Sequence, residues 1–270
     1  MSVQALLDPR LAPLAGATPE ATSARVESLT SVLLLTRSRT TETAVVDVPS
    51  VGRVIRKRWW WPRSSDRVKG AFRTTVGAAS PARREHAALT RLRALPGGAF
   101  APEPLGVIEV RRAGVLTACT LLLEEIRGAV EFAAFLRDER DAAVRARVLG
   151  DLATRTRAMH AAGLLDREHH PRNVLVAGGR TWKVDCAKQR VRRGPVPPRA
   201  AIEDLATLDV ALVRLASPAE RESFLSAALG VPMNPALRVQ LESRRARIDA
   251  RESDRLPPLS STSLPTDNDR

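Results

Sequence analysis

Cysteine, lysine and long apolar runs are all scarce in this chain, and each shortage removes a class of protein. The two cysteines, Cys119 and Cys186, stand 67 residues apart. Such a pair builds neither a disulfide framework nor a zinc knuckle, and a reducing compartment is the simpler expectation. No run of about 18 apolar residues occurs, so no transmembrane helix is expected. Residues 1–24 carry Asp8 and Arg10 inside their apolar stretch and have no uninterrupted apolar core. They therefore read as a loose leader rich in Ala, Pro, Thr and Leu, not as a secretory signal, and a cytoplasmic location follows as the expectation. What the 270 residues do contain is enough apolar side chain, 44% against 27% charged, to bury a core of ordinary domain size.

The charge is +13 and uneven. Between positions 53 and 93, twelve Lys or Arg face Asp66 and Glu85, a net of +10 in 41 residues. This segment is expected to meet water or an anionic partner. Lysine occurs four times, at Lys57, Lys69, Lys183 and Lys188, beside 39 arginines. With arginine the default cation, each lysine becomes more informative than any single arginine.

Short β-rich runs at 32–35, 44–48 and 54–55, separated by turn residues, predict an antiparallel meander. A helix is predicted from Pro81, with Ala88, Leu89, Leu92 and Leu95 at helical spacing and Pro96-Gly97-Gly98 as its stop. Two further strands follow at 105–110 and 115–123. Beyond Gly128 the helical period dominates: Val144, Val148, Leu152 and Met159 share one face of a helix ending at Gly163. A small hairpin at 174–176 and 182–184, a buried helix at 202–216, and helices at 218–229 and 235–248 complete the reading. Residues 256–270 read as a disordered tail.

The chemistry concentrates in the stretch Asp166-Arg167-Glu168-His169-His170-Pro171-Arg172-Asn173-Val174-Leu175-Val176 and in Val184-Asp185-Cys186. A carboxylate, an Asn five residues on, an apolar strand, and an Asp twelve residues after the Asn resemble the catalytic loop and metal-binding aspartate of kinase-like phosphotransferases. Phosphoryl transfer spreads negative charge over the γ-phosphate, and Mg²⁺ on hard oxygen ligands neutralises it. The upstream chain, from Ser80 through Glu85 and Leu92 to Pro102-Glu103-Pro104, resembles the corresponding region of the lipopolysaccharide core kinases, the Kdo and heptose kinase group. The resemblance covers about residues 31–229.

It implies an α+β fold of two lobes, a β-rich N-lobe over 25–125 and a helical C-lobe over 126–255. It also implies a kinase that uses ATP and Mg²⁺ and a sugar or glycolipid acceptor. Lys57 would hold the phosphates and Glu85 would position Lys57. Glu124 and Glu125 would form the hinge that receives adenine through backbone groups. Asn173 and Asp185 would hold Mg²⁺, and Glu168 would act as base or orienter. His170-Pro171, where protein kinases place Lys-Pro, and the short stretch after Asp185, without an Ala-Pro-Glu motif, favour a small-molecule or glycolipid hydroxyl. The 53–93 segment would touch an anionic membrane at its inner face; nucleic acid is not expected, because no nucleic-acid module accompanies the charge.

Two departures from the family pattern stand out. Glu168 replaces the usual Asp, with Asp166 the alternative carboxylate if the loop is rearranged. The first hairpin, over 36–43, has no glycine to cover phosphates. Both favour the alternative reading of a pseudokinase that binds nucleotide or a partner without efficient transfer. His160 is expected to be structural, and Cys186 a packed residue. Asp204 is expected either to brace the catalytic loop or to serve only as a helix-dipole partner. Trp59-Trp60-Trp61 is read as a surface cluster, since three consecutive rings cannot face one way along a strand.

Overall fold

The computed structural model describes residues 1–49, 51–61 and 79–253. A six-stranded antiparallel sheet forms the N-lobe, from β1 (Ser2–Leu7), β2 (Ser31–Arg37), β3 (Thr41–Val48), β4 (Gly52–Trp60), β5 (Pro104–Arg112) and β6 (Val115–Glu124), in the order β1-β5-β6-β4-β3-β2. Helix α1 (Pro19–Ser28) precedes β2, and α2 (Pro81–Arg93) lies between β4 and β5. Ser80 caps α2, accepting a hydrogen bond from the Arg83 N–H, with Pro81 at the first helical position. The predicted meander, helix and two following strands are therefore all present.

The helical lobe holds β7 (Val130–Glu131), α3 (Phe132–Asp138), α4 (Ala142–Ala161), β8 (Leu164–Asp166), β9 (Val174–Ala177), β10 (Arg180–Lys183), β11 (Gln189–Val191), α5 (Pro198–Leu215), α6 (Pro218–Leu229) and α7 (Pro235–Ser253). Strands β10, β9 and β7 form one small sheet, and β11 pairs with β8 in another. Helix α5 is buried along most of its length, as its apolar sequence predicts. No helix among the described residues is long and apolar enough to cross a membrane. The predicted tail at 256–270 lies outside the described residues.

Alternation along β4 decides what each side of the N-lobe sheet carries. Ile55, Lys57 and Trp59 face α2 and the helical lobe, where Ile55 and Trp59 pack against the main core of Leu89, Leu92, Leu121 and Leu123. Val54 and Arg56 face the other way, into a second core of Val3, Leu11, Leu14, Val26, Val46, Leu105 and Leu122.

That second core corrects the expected leader. Residues 2–28 are a docked roof: β1 pairs with β5 through six residues, and the 3₁₀ turn Pro9–Leu14 buries Leu11 and Leu14. Gly106 on β5 has no side chain because a Cβ there would meet Leu7 Cδ2 at 2.6 Å and the Leu6 carbonyl oxygen at 3.0 Å. Alanine-rich composition concealed this element, since a few large side chains at irregular spacing do the anchoring. The N-lobe thus begins at residue 2, not 25.

The basic segment is corrected in part. Arg56 is 3% exposed and donates to the Val26 and Leu29 carbonyls at 3.1 and 2.9 Å, tying α1 to the sheet. Arg53 pairs with Glu125, Arg58 with Glu27, Arg83 with Glu109, and Arg91 donates to Gln189. Most of the described charge is therefore used inside the fold. Arg63, Arg67, Lys69 and Arg73 lie outside the described residues. The tryptophan reading is corrected too: Trp59 and Trp61 pack against the main core, and Trp60 lies under the Arg58 guanidinium, 5.8 Å from its ring centre.

Replacing Arg56 with Met removes four hydrogen bonds, to Ser31 Oγ, Glu42 and the carbonyls of Val26 and Leu29, and strands those two carbonyls. A loss of about 2 kcal/mol is expected in denaturant unfolding, with faster amide exchange confined first to residues 19–29. Unchanged exchange there would show that the roof is held by its apolar contacts alone.

Candidate active site

Helix α4 ends so that the next loop turns back under the N-lobe. Gly163 takes φ 77°, and a Cβ there would lie 2.6 Å from the Gly194 carbonyl oxygen and 2.8 Å from that of Arg192. Only glycine accepts both the left-handed backbone and that approach. The loop after β8 is then pinned from three sides. Asp204 on α5 accepts from the Asp166 N–H at 2.8 Å and meets His160 Nε2 at 3.2 Å. Of the two readings for Asp204, the structure supports the brace, and His160 is structural as expected.

Asp166 is fully buried and paired with the equally buried Lys183, Nζ to Oδ2 at 2.8 Å. This corrects Asp166 as an alternative catalytic carboxylate: its charge is neutralised in the interior and faces no open space. Lys183 also donates to the Glu168 and Val184 carbonyls, both at 3.0 Å. One buried ammonium therefore fixes the loop that carries Glu168 to the strand that delivers Asp185. His169 is buried beside it, Nε2 3.2 Å from Thr156 Oγ1. Burial, reinforced by the charge of Lys183, drives the His169 pKa well below the ordinary 6.5.

Glu168 keeps its side chain a quarter exposed and receives Lys188 Nζ at 2.6 Å. Asn173 donates through Nδ2 to the Glu168 carbonyl at 2.9 Å, which fixes the amide, and its Oδ1 accepts no hydrogen bond among the described residues. The Val184 N–H donates to the Asn173 carbonyl at 2.9 Å, bringing Asn173 next to the strand end that bears Asp185. Asp185 itself has φ 56°, the left-handed region that Asp enters more readily than most residues. Backbone strain of this kind collects at functional sites.

Lys57, on the cleft side of β4, meets this assembly. Its Nζ lies 2.7 and 2.9 Å from the two carboxylate oxygens of Glu85 on α2 and 3.3 Å from Asp185 Oδ1. Burial works against the Lys57 charge, yet Glu85 and Asp185 outweigh it and lift its pKa above the ordinary 10.5. Burial also pushes Asp185 upward, but Lys57, then Lys183 and Lys188, overcome it and hold the carboxyl below the ordinary 3.8. Both groups are therefore charged at neutral pH.

A cleft of about 650 Å³ opens between the lobes. Val45, Ile55, Leu123 and Leu175 give it apolar walls, and Lys57, Asp185 and Arg172 give it a charged end. Glu124 and Glu125 line it as the connection between lobes, but their carboxylates are engaged by Arg93 and Arg53. The Ile126 N–H, also at the cleft, makes no hydrogen bond among the described residues. Glu168 and Asn173 lie beyond Asp185, outside the cleft wall. The turn at Ser38–Thr41 is closed by its own hydroxyls, Ser38 Oγ to Thr41 Oγ1 at 2.7 Å, in place of glycine. Cys186 is buried, its thiol pKa pushed up by that burial, as a packed residue should be.

The structure adds Lys183, Lys188 and the Arg91–Gln189 link to the residues read from sequence. The scarcity of lysine was the available signal for the first two: all three described lysines converge on this site.

The fold is that of a kinase-like phosphotransferase. A solved structure described as WaaP in complex with acyl carrier protein superposes with a TM-score of 0.62 at 17% identity, covering 93% of this chain and 97% of the other. A sequence model of the lipopolysaccharide kinase (Kdo/WaaP) family matches residues 35–227, and the chain belongs to that family. A search of curated protein sequences finds no match.

Two outcomes test the site's construction. Lys183→Met leaves Asp166 buried without its counter-charge, and a loss of about 3–5 kcal/mol is expected, largely restored by adding Asp166→Leu. A double variant no more stable than the single one would refute the pairing. For His169, the unfolded state takes up a proton below about pH 6.5 while the folded state resists it, so stability is complete above that pH and declines as pH falls. The slope reaches about 1.4 kcal/mol per pH unit for one proton, and His169→Asn should flatten it in urea melts at pH 5–7.

Proposed function

We propose that this chain transfers the γ-phosphate of ATP to a hydroxyl of a sugar or glycolipid. The observation that carries the reading is the meeting of Lys57, Glu85 and Asp185 at 2.7–3.3 Å at the charged end of an apolar-walled cleft. Val45, Ile55, Leu123 and Leu175 are suited to sandwich a purine, and the Ile126 N–H supplies an edge donor. Lys57, held charged by Glu85, holds the α- and β-phosphates.

The donor set also suits Mg²⁺: the Asn173 oxygen and the ionised Asp185 carboxylate are hard ligands at the two ends of one hairpin. Asn173 and Asp185 would hold Mg²⁺ there, and it would supply positive charge against the phosphates. Glu168 orients the acceptor hydroxyl and takes its proton. Arg172, exposed at the cleft beside Asn173, offers a fork suited to a phosphate or carboxylate.

A second reading, a pseudokinase, draws on Glu168 in place of Asp, its carboxylate engaged by Lys188, and on the glycine-free hairpin. It predicts nucleotide binding without transfer.

The test is transfer from γ-labelled ATP to a lipopolysaccharide sugar extract, with thermal stabilisation by ATP in the presence and absence of Mg²⁺. Asp185→Asn keeps the left-handed backbone and should stay within about 1 kcal/mol of wild-type stability while losing ~100-fold or more of turnover. Turnover unaffected by this substitution would overturn the kinase assignment, and stabilisation by ATP with no turnover would establish the pseudokinase.

A further inference from the structure

We propose that Lys188 is a catalytic residue of this phosphoryl transfer, its ammonium bearing on the transferring phosphoryl group beside Glu168. The proposal rests on the kinase reading above and deepens it. Lys188 follows Asp185 by three residues, ahead of β11. Its Nζ touches Glu168 Oε1 at 2.6 Å while the side chain remains 60% exposed. One accessible ammonium is thus in contact with the carboxylate proposed to take the acceptor proton and only three residues along the chain from the carboxylate proposed to hold the metal. A phosphoryl group moving from nucleotide to acceptor passes between those two.

The other described lysines are committed elsewhere. Lys57 is clasped by Glu85 and Asp185, and Lys183 is sealed beneath the loop at 0% exposure. An ordinary surface ion pair adds only about 0–1 kcal/mol of stability, which gives no structural reason for lysine here in a chain with 39 arginines. Chemistry supplies one. A compact ammonium with three donors follows a phosphoryl oxygen as a point charge, whereas a guanidinium prefers to lock bidentately onto Glu168. The hairpin over Ser38–Thr41, closed by hydroxyls and lacking glycine, offers fewer backbone amides to the phosphates, so a mobile cation has a vacancy to fill.

In the step, the acceptor oxygen forms a bond to the γ-phosphorus as the bond from that phosphorus to the bridging oxygen breaks. ADP departs with the electron pair, and the hydroxyl proton passes to Glu168. Lys188 remains protonated throughout and balances the charge on the phosphoryl oxygens.

The test compares wild type, Lys188→Met and Lys188→Arg in the full chain. Titration calorimetry reads the affinity for a non-hydrolysable ATP analogue and for ADP, each with Mg²⁺, and turnover is measured in parallel. Lys188→Met should leave ADP affinity unchanged, weaken the triphosphate analogue about tenfold, and lower turnover about 100-fold. Lys188→Arg should recover part of both. A Lys188→Met protein with wild-type turnover and an unaltered triphosphate-to-diphosphate preference overturns the Lys188 assignment alone. A wild-type chain that binds neither nucleotide overturns the kinase reading and this assignment with it.

Discussion

A single ammonium, that of Lys57, sits where three separate pieces of chain converge. It leaves the cleft face of β4, is clasped by Glu85 from α2, and reaches Asp185 from the helical lobe. Glu85 is fully buried and Lys57 nearly so, and either charge alone there would cost several kcal/mol. The half-exposed Asp185 joins them only as long as both lobes hold their relative positions. The apolar walls of the cleft, the left-handed backbone of Asp185 and the buried Lys183 beneath it all serve that one geometry.

Lysine and arginine divide the work by chemistry. Arginines act as forks for structural pairing: Arg56 on two carbonyls of the roof, Arg83 on Glu109, Arg221 and Arg245 on the buried Asp209. The three described lysines act as point charges gathered around Asp185 and Glu168. Many of the described arginines are thus paired with partners within the fold.

Much of this was legible from residue order. The meander, the helix bearing Glu85, the Asn173-to-Asp185 hairpin and the buried helix α5 all follow from periodicity and punctuation, and Lys57, Glu85 and Asp185 meet as the family resemblance implies. What was not legible depends on partners distant in sequence. The burial of Asp166 is set by Lys183 on another strand, and the facing of Trp59 and Trp60 by the pleat of β4. The roof over the sheet is anchored by Leu11, Leu14 and Val26, too few and too irregular to register as a pattern. Glu168, read from the resemblance as standing in place of an Asp, is held by Lys188, twenty residues away in the chain.

The roof carries a last implication. Similarity to the family begins at residue 35, yet Val46, Val54, Leu105 and Leu122 on the sheet's outer face are covered by residues that precede it. The stretch that the family's sequence model matches is therefore narrower than the stretch that packs together in the N-lobe. Cutting at the edge of the shared region would lay bare an apolar sheet face and leave Arg56 without its carbonyls, a surface prone to self-association.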